Sequence, residues 1–173
     1  MPFILRQIRK SRWYKEDWGH LEGEDIPADP LGDLVTTGNE LSVWFVKDDR
    51  SNLDQVVTAL AANRDNISTF DYTLFDLKVL EDLGISSKKT SGGTLDELAN
   101  NSWHIDLAGL TAFKLVKLAK MLLDKGERKR VLGKEIRRLI ANAVASEQIE
   151  LAKLKPSLKD KVESLITSDT SQE

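Results

Sequence analysis

The sequence predicts an α+β protein, with a small mixed β-sheet and one or two packed helices in the N-terminal half, followed by a helical C-terminal half. Runs of branched and aromatic residues favour strands before about residue 76, whereas apolar residues at helical spacing dominate after residue 94. The 173 residues suffice for one domain. We therefore expect a single domain over 1–173, with a sheet region at 1–85, a helical subdomain at 94–155 and a frayed tail at 167–173.

The N-terminal half begins with strand-like segments. Residues 3–8 are apolar enough for a strand, and "LSVWFV" at 41–46 is a stronger one. Gly38 and Asn39 precede it and tolerate positive φ, which favours a hairpin turn. Next, Leu53, Val56, Val57 and Leu60 recur at helical spacing, with Ser51 or Asn52 as the cap.

A third strand is predicted by the alternation of Phe70, Tyr72 and Leu74 in "STFDYTLFD". The order is then strand, helix, strand, and the crossover should be right-handed if the two strands are adjacent and parallel. A short helix should follow and end at Gly84. The polar segment 86–93 has the composition of a linker.

The C-terminal half shows helical signals. Thr94 and Glu97 form a capping-box pattern, and a long helix is predicted from there to Gly126. A final helix is predicted from about Val131 towards Lys155, where Pro156 would stop it.

Composition restricts the class of protein. The chain is 40% hydrophobic and 31% charged, as in soluble globular proteins. No apolar run approaches the roughly 20 residues that span a bilayer, and the first arginines follow apolar residues, unlike a signal peptide. We expect a cytoplasmic protein without membrane contact. With no cysteine and two histidines, we expect no metal site and no cofactor.

Charge is segregated along the chain. Residues 1–15 carry a net charge of +5, residues 16–113 carry -13, residues 114–138 carry +7 and the remainder carries -2. The two basic segments either neutralise the acidic middle in the fold or face a polyanion. The candidate polyanion-binding residues in the second segment are Lys114, Lys117, Arg130, Lys134, Arg137 and Arg138.

The alternative for these six cations is an ordinary solvated helix face. Lys114 and Lys117 lie opposite the apolar stripe of the long helix. The other four lie opposite the stripe of the final helix, where they are either solvated or bonded to the acidic half. The N-terminal stretch "RQIRKSRWYKEDWGH" poses the same choice, and we predict that Trp13, Tyr14 and Trp18 pack rather than stack on bases.

Three residues are candidates for catalysis. Asp48 and Asp49 follow a strong strand, where carboxylates can hold magnesium. His104 lies near Asp106 in "NNSWHID" and could form an acid–base pair, although a structural histidine with Asp106 as a helix cap is the alternative. The acidic stretch 20–33 is interpreted as a solvated loop rather than a calcium site, because its spacing does not match an EF-hand.

These observations predict a non-enzymatic binding or regulatory protein that acts through contacts with a protein partner or with another copy of itself. The first alternative is a nucleic-acid-binding protein that uses the basic helix faces. The second is a phosphate-handling or metal-dependent enzyme that uses Asp48, Asp49 and His104.

Overall fold

The computed structural model describes residues 1–13 and 25–170. The strands are β1 (Phe3–Gln7), β2 (Leu41–Val46), β3 (Thr69–Asp76), β4 (Ser86–Lys89), β5 (His104–Ala108) and β6 (Glu127–Leu132). The helices are α1 (Lys10–Trp13), α2 (Ala28–Leu31), α3 (Leu53–Ala62), α4 (Lys78–Asp82), α5 (Glu97–Trp103), α6 (Ala112–Lys125), α7 (Gly133–Ala145) and α8 (Pro156–Thr170). A 3₁₀ turn (Leu151–Lys153) precedes α8.

The six strands form one sheet in the order β4-β5-β2-β1-β3-β6, and every hydrogen-bonded neighbour pair is antiparallel. The predicted α+β class is confirmed, but the sheet is antiparallel rather than mixed. The strand–helix–strand unit β2–α3–β3 is also present, but β1 lies between its two strands. β2 and β3 therefore run in the same direction without touching, because each is antiparallel to β1.

Both faces of the sheet are covered. Strand residues point alternately to opposite faces, so Leu5 and Leu74 join one core while Ile4 and Phe75 join the other. Helices α3, α5, α7 and α8 cover the first face, which we call the α7 face. Helices α4 and α6 cover the second, which we call the α6 face.

Several local signals are confirmed. Gly38 and Asn39 both have φ near +60° and connect the isolated bridge between Thr37 and Glu40. Gly84 also has positive φ, and its N–H donates to the carbonyl of Glu81 at the end of α4.

The C-terminal half is mainly helical, as predicted, but two strands lie within the expected helical region at 94–155. Strand β5 interrupts the predicted long helix, and β6 separates α6 from α7. The expected linker at 86–93 contains β4. Strands β4 and β6 lack an apolar alternation because they are edge strands with exposed positions. Their pairing is set by the neighbouring strands β5 and β3 rather than by a local sequence pattern.

The helix ends also differ from the prediction. The final helix is divided in two: α7 starts at Gly133 and ends at Ala145, and Pro156 begins α8 instead of ending a helix. Proline suits a first helical position, because the N–H that it lacks would have no partner within the helix. Residues 167–170, predicted as part of a frayed tail, are helical, and 171–173 lie outside the described residues.

The cap of α5 lies two residues from the predicted one. Asp96, not Thr94, caps α5 by accepting from the N–H of Ala99 at 2.8 Å. Asn52 is at the N-cap of α3, yet its side chain bonds backwards to Lys47 N–H and to the carbonyl of Phe45. It therefore fastens the turn between β2 and α3.

Replacing Thr73 with valine should stabilise the fold. The Thr73 hydroxyl is fully buried in β3 and, among the described residues, has no hydrogen-bond partner. Valine has nearly the same shape, so the change should raise the free energy of unfolding by about 1 kcal/mol in urea denaturation. The matched control is Thr90→Val, which should destabilise because that hydroxyl bonds both His104 and Asp106. A loss of stability in Thr73→Val would contradict the account.

Candidate functional site

The six candidate polyanion-binding cations do not form one surface. Lys114 and Lys117 belong to α6, whereas Lys134, Arg137 and Arg138 belong to α7, and these helices cover opposite faces of the sheet. Arg130 was predicted to share the helix face of the α7 cations, but it lies in β6. Helical spacing does not apply at Arg130, because the helix begins three residues later, at Gly133.

Two of these arginines bond within the fold. Arg130 makes a bidentate pair with Asp71 through Nε–Oδ1 and Nη2–Oδ2 distances of 2.6 and 2.8 Å. The hydrogen bonds that Arg130 donates to Asp71, together with the negative charge of that carboxylate, raise the pKa of Arg130. Arg137 donates from Nη1 to the carbonyl of Ile67 at 3.1 Å. The guanidinium groups of both arginines therefore bind β3 and the loop before it.

The two α6 lysines also have partners. Lys114 donates from Nζ to the carbonyl of Gly84 at 2.6 Å. Lys117 lies over the ring of Phe113, with Nζ 4.5 Å from the ring centroid. Both lysines are half-buried rather than fully exposed.

Lys134 and Arg138 are different. Both are exposed, and in the described part of the chain neither forms an ion pair or a side-chain hydrogen bond. They line an open groove of about 690 Å³ together with Glu135, the buried Ala141 of α7 and the partly buried Leu165 of α8. The groove also includes Leu132, which is 62% exposed at the end of β6. We call this the α7–α8 groove.

The N-terminal segment is anchored on one acidic residue, Asp33. Asp33 accepts from Arg12 Nη1 at 2.9 Å, from Trp13 Nε1 at 2.8 Å and from the backbone N–H of Arg9 at 2.7 Å. Its side chain is only 7% exposed, so the prediction of a solvated loop is wrong for this residue. The carboxylate can be buried because hydrogen bonds from three protein donors take the place of those it would form with water.

The packing of Trp13 is confirmed, because the residue is 1% exposed. Tyr14, Lys15 and Trp18 lie outside the described residues, as do residues 20–24 of the acidic stretch. The basic N-terminal segment meets the second one at β6, where Arg128 donates from Nη1 to the carbonyl of Trp13 at 3.3 Å.

His104 is a buried member of a hydrogen-bonded chain. Its Nδ1 is 2.8 Å from the Thr90 hydroxyl, which donates to Asp106 Oδ2, also at 2.8 Å. Because the hydroxyl has one proton and gives it to the carboxylate, the Nδ1 of His104 must be the donor. Ser42 donates to the other oxygen of Asp106 at 2.9 Å. The rings of His104 and Trp44 pack edge to face, with their centroids 5.1 Å apart.

This arrangement keeps Asp106 ionised. Burial raises the pKa of the carboxyl, but the hydrogen bonds from Thr90 and Ser42, assisted by electrostatic interaction with His104 and Lys88, lower it by more. Asp106 lies in β5, so the prediction that it caps a helix is wrong; Thr111 caps α6 instead. The predicted proximity of His104 and Asp106 does occur, with Nε2 3.9 Å from Oδ1.

Asp48 and Asp49 lie in the turn after β2 and are used locally. Asp48 accepts from the N–H of Asp49 at 3.1 Å, and Asp49 accepts from the N–H of Ser51 at 2.9 Å. The hydrogen bonds from Ser51 lower the pKa of Asp49. Neither aspartate lines the pocket that contains His104. The structure therefore does not bring the three catalytic candidates into one pocket.

A polar pocket opens where two strands separate. β1 pairs with β2 only as far as Leu5 and Trp44, yet it continues along β3 to Gln7. β2 meanwhile stays paired with β5 back to Leu41. The strands diverge over the interval between, and a cavity of about 410 Å³ lies there, which we call the split-strand pocket. Its lining includes Arg6, Arg9, Ser42, Trp44, Leu60, Asn63 and His104.

Sequence reasoning singled out His104, and it included Arg6 and Arg9 in the basic N-terminal stretch, but it did not predict the rest of this pocket. One signal was available at Arg6, since a cation inside the apolar run 3–8 requires polar partners when that strand is central. Asp33 and Thr90 gave no such signal. Their roles depend on the paths of the loop before β2 and of the segment after β4.

No group of three or more histidine or carboxylate side chains is placed to hold a metal ion within the described ranges 1–13 and 25–170. None of the helices in those ranges combines the length and the apolar character needed to cross a bilayer. No protein-family model matches the chain, and no curated protein or solved structure is significantly similar to it. Functional inference therefore rests on the geometry alone.

Proposed function

We propose that this protein is a non-enzymatic binding module of the cytoplasm, and that its α7–α8 groove holds an acidic, partly apolar segment of a partner protein. One observation carries the proposal. Lys134 and Arg138, which have no ion-pair partner in the described part of the chain, border the apolar surface of Leu132 and Leu165. Apolar grooves with charged rims are a common way to bind amphipathic segments.

The spacing of the two cations defines the partner further. Lys134 and Arg138 are four residues apart on α7, which separates them by about one helical turn, roughly 6 Å. A partner segment with two carboxylates at a similar separation would pair with both. Its apolar side chains would then cover Leu132, which is otherwise left in water.

Two other occupants are less favoured. A second copy would bring together two rims that each carry two cations and one carboxylate, Glu135, so symmetric contact repels on balance. Nucleic acid would need a broad basic surface, whereas four of the six candidate cations have contacts inside the fold.

The test uses the full chain and a fluorescent peptide that carries two glutamates four residues apart beside a leucine stripe. Saturable binding in fluorescence anisotropy is expected near physiological ionic strength. The double variant Lys134→Glu with Arg138→Glu should weaken it by roughly tenfold or more, because complementary charges become repulsive. The matched control is Lys125→Glu, an exposed lysine at the end of α6, which should bind like the parent.

Equal binding by all three proteins would overturn the proposal. So would tighter, salt-sensitive binding of a DNA or RNA duplex that depends on Lys134 and Arg138, which would favour the nucleic-acid alternative. Light scattering at two protein concentrations tests whether a second copy of the chain occupies the groove. A dimer that Leu132→Glu converts to a monomer would assign the groove to self-association instead.

A further inference from the structure

The split-strand pocket contains an arginine whose hydrogen-bonding capacity is only partly used. Arg6 donates from Nε and Nη2 to the carbonyl of Asp33, at 3.0 and 2.7 Å, and from Nη1 to the carbonyl of Ser42 at 2.7 Å. A guanidinium has five N–H donors. Two of them, one on each terminal nitrogen, therefore have no acceptor among the described residues.

Among the described residues, no carboxylate oxygen is in direct contact with the guanidinium of Arg6. Its bonds reach the backbone oxygen of Asp33, while both carboxylate oxygens of that residue are occupied by Arg12, Trp13 and the backbone of Arg9. Burial lowers the pKa of Arg6, and the nearby charge of Asp33 opposes that effect only in part. An anion next to the guanidinium would supply the missing compensation.

The remaining walls suit a ligand larger than a bare inorganic ion. The exposed Arg9 adds a second cation at the rim, and Trp44 and Leu60 provide apolar surface. Asn63, His104 and Ser42 contribute polar groups. A volume of about 410 Å³ lies within the range of small-molecule sites and exceeds what phosphate alone would fill.

We propose that the split-strand pocket binds a small organic anion. Its carboxylate or phosphate oxygens accept hydrogen bonds from the two N–H groups of Arg6 that have no acceptor among the described residues, and they pair with Arg9. A planar guanidinium offers parallel donors to two oxygens of one oxyanion, which both of these groups possess. The apolar part of the ligand lies against Trp44 and Leu60. This site is separate from the α7–α8 groove and does not depend on the function proposed for it.

The experiment is a ¹H–¹⁵N NMR titration of the full chain at constant ionic strength. The probes are phenyl phosphate, benzoate and inorganic phosphate, with chloride as the reference anion. Saturable shifts are expected at residues 6–9, 42–44, 93–94 and 104 with the organic probes. Whichever of phenyl phosphate and benzoate binds more tightly assigns the oxyanion. Arg9→Gln should weaken binding about tenfold, because an exposed charge-assisted contact is lost.

A second variant fills the pocket without removing a charge. A side chain added at Gly93, which lines the pocket, starts in open space, so Gly93→Phe should reduce binding at least as much as Arg9→Gln. Lys125→Gln is the matched control and should behave like the parent. The groove double variant of Lys134 and Arg138 should also retain anion binding, which separates failure of this proposal from failure of the other.

Three outcomes would overturn the inference. The first is the absence of saturable shifts with both organic probes. The second is binding that Arg9→Gln and Lys125→Gln weaken equally, since that indicates diffuse attraction to surface cations. The third is inorganic phosphate binding as tightly as phenyl phosphate, because the apolar walls would then contribute nothing. Since Arg9 is exposed, its replacement should not impair folding. The Arg9→Gln test therefore remains valid even if the Gly93→Phe variant does not fold.

Discussion

Replacing Asp33 with alanine should lower the free energy of unfolding by about 3–5 kcal/mol, the range typical for removal of one partner from a buried charged network. The carboxylate is 7% exposed and accepts three hydrogen bonds. Without it, the indole N–H of Trp13, the N–H of Arg9 and one N–H of Arg12 lose their acceptor. Equilibrium denaturation in guanidinium chloride, followed by tryptophan fluorescence, measures the change.

The matched control for this prediction is Asp48→Ala. Asp48 is also an aspartate in a loop, but it is exposed and, within ranges 1–13 and 25–170, accepts only from its neighbour Asp49. Its loss should change the free energy of unfolding by no more than about 0.5 kcal/mol. A cost below about 1 kcal/mol for Asp33→Ala would mean that water replaces the carboxylate easily, and the anchoring role of Asp33 would be wrong.

Gly133→Ala should be the other strongly destabilising change, at about 3 kcal/mol. Strand β6 passes into α7 without a loop, so Gly133 packs against the chain that leads into β3. An added Cβ would lie 2.3 Å from the carbonyl oxygen of Ile67 and 2.8 Å from that of Ser68. The N–H of Gly133 also donates to the Ser68 carbonyl at 2.8 Å, so the backbone cannot move away without losing that bond.

The same substitution at Gly93 provides the comparison. A Cβ there meets no atom within 4 Å, and we expect a change within about 0.5 kcal/mol. Thermal unfolding of the two alanine variants side by side checks both values. Similar melting temperatures would show that the start of α7 can shift away from β3, contrary to the close packing described here.

The elements that were predicted well from the sequence are those whose apolar residues repeat at a regular local spacing. The apolar stripe of α3 and the alternation of Phe70, Tyr72 and Leu74 each mark the side of the element that packs into the core of the α7 face, so periodicity locates them. Strands β4 and β6 carry no such pattern. Their residues are mostly exposed or partly exposed, and they are strands because β5 and β3 offer hydrogen-bonding partners.

The candidate sites follow the same division. Lys134 and Arg138 were predicted from helical spacing and do lie outward on α7. Arg130 fits the same spacing but belongs to β6, because a periodicity cannot tell where a helix begins. The partnership of Arg6 with Asp33 joins residues 27 positions apart, and that distance in sequence leaves no local trace.

The central position of β1 means that residues 3–7 connect the two parts of the sheet. Strands β4, β5 and β2 form one block of the sheet, β3 and β6 form another, and among the described strands only β1 is hydrogen-bonded to both. A chain emerging from the ribosome cannot complete this junction until β3, at residues 69–76, has been made. The N-terminal strand therefore waits for its partners, and assembly of the sheet is governed by contacts distant in sequence.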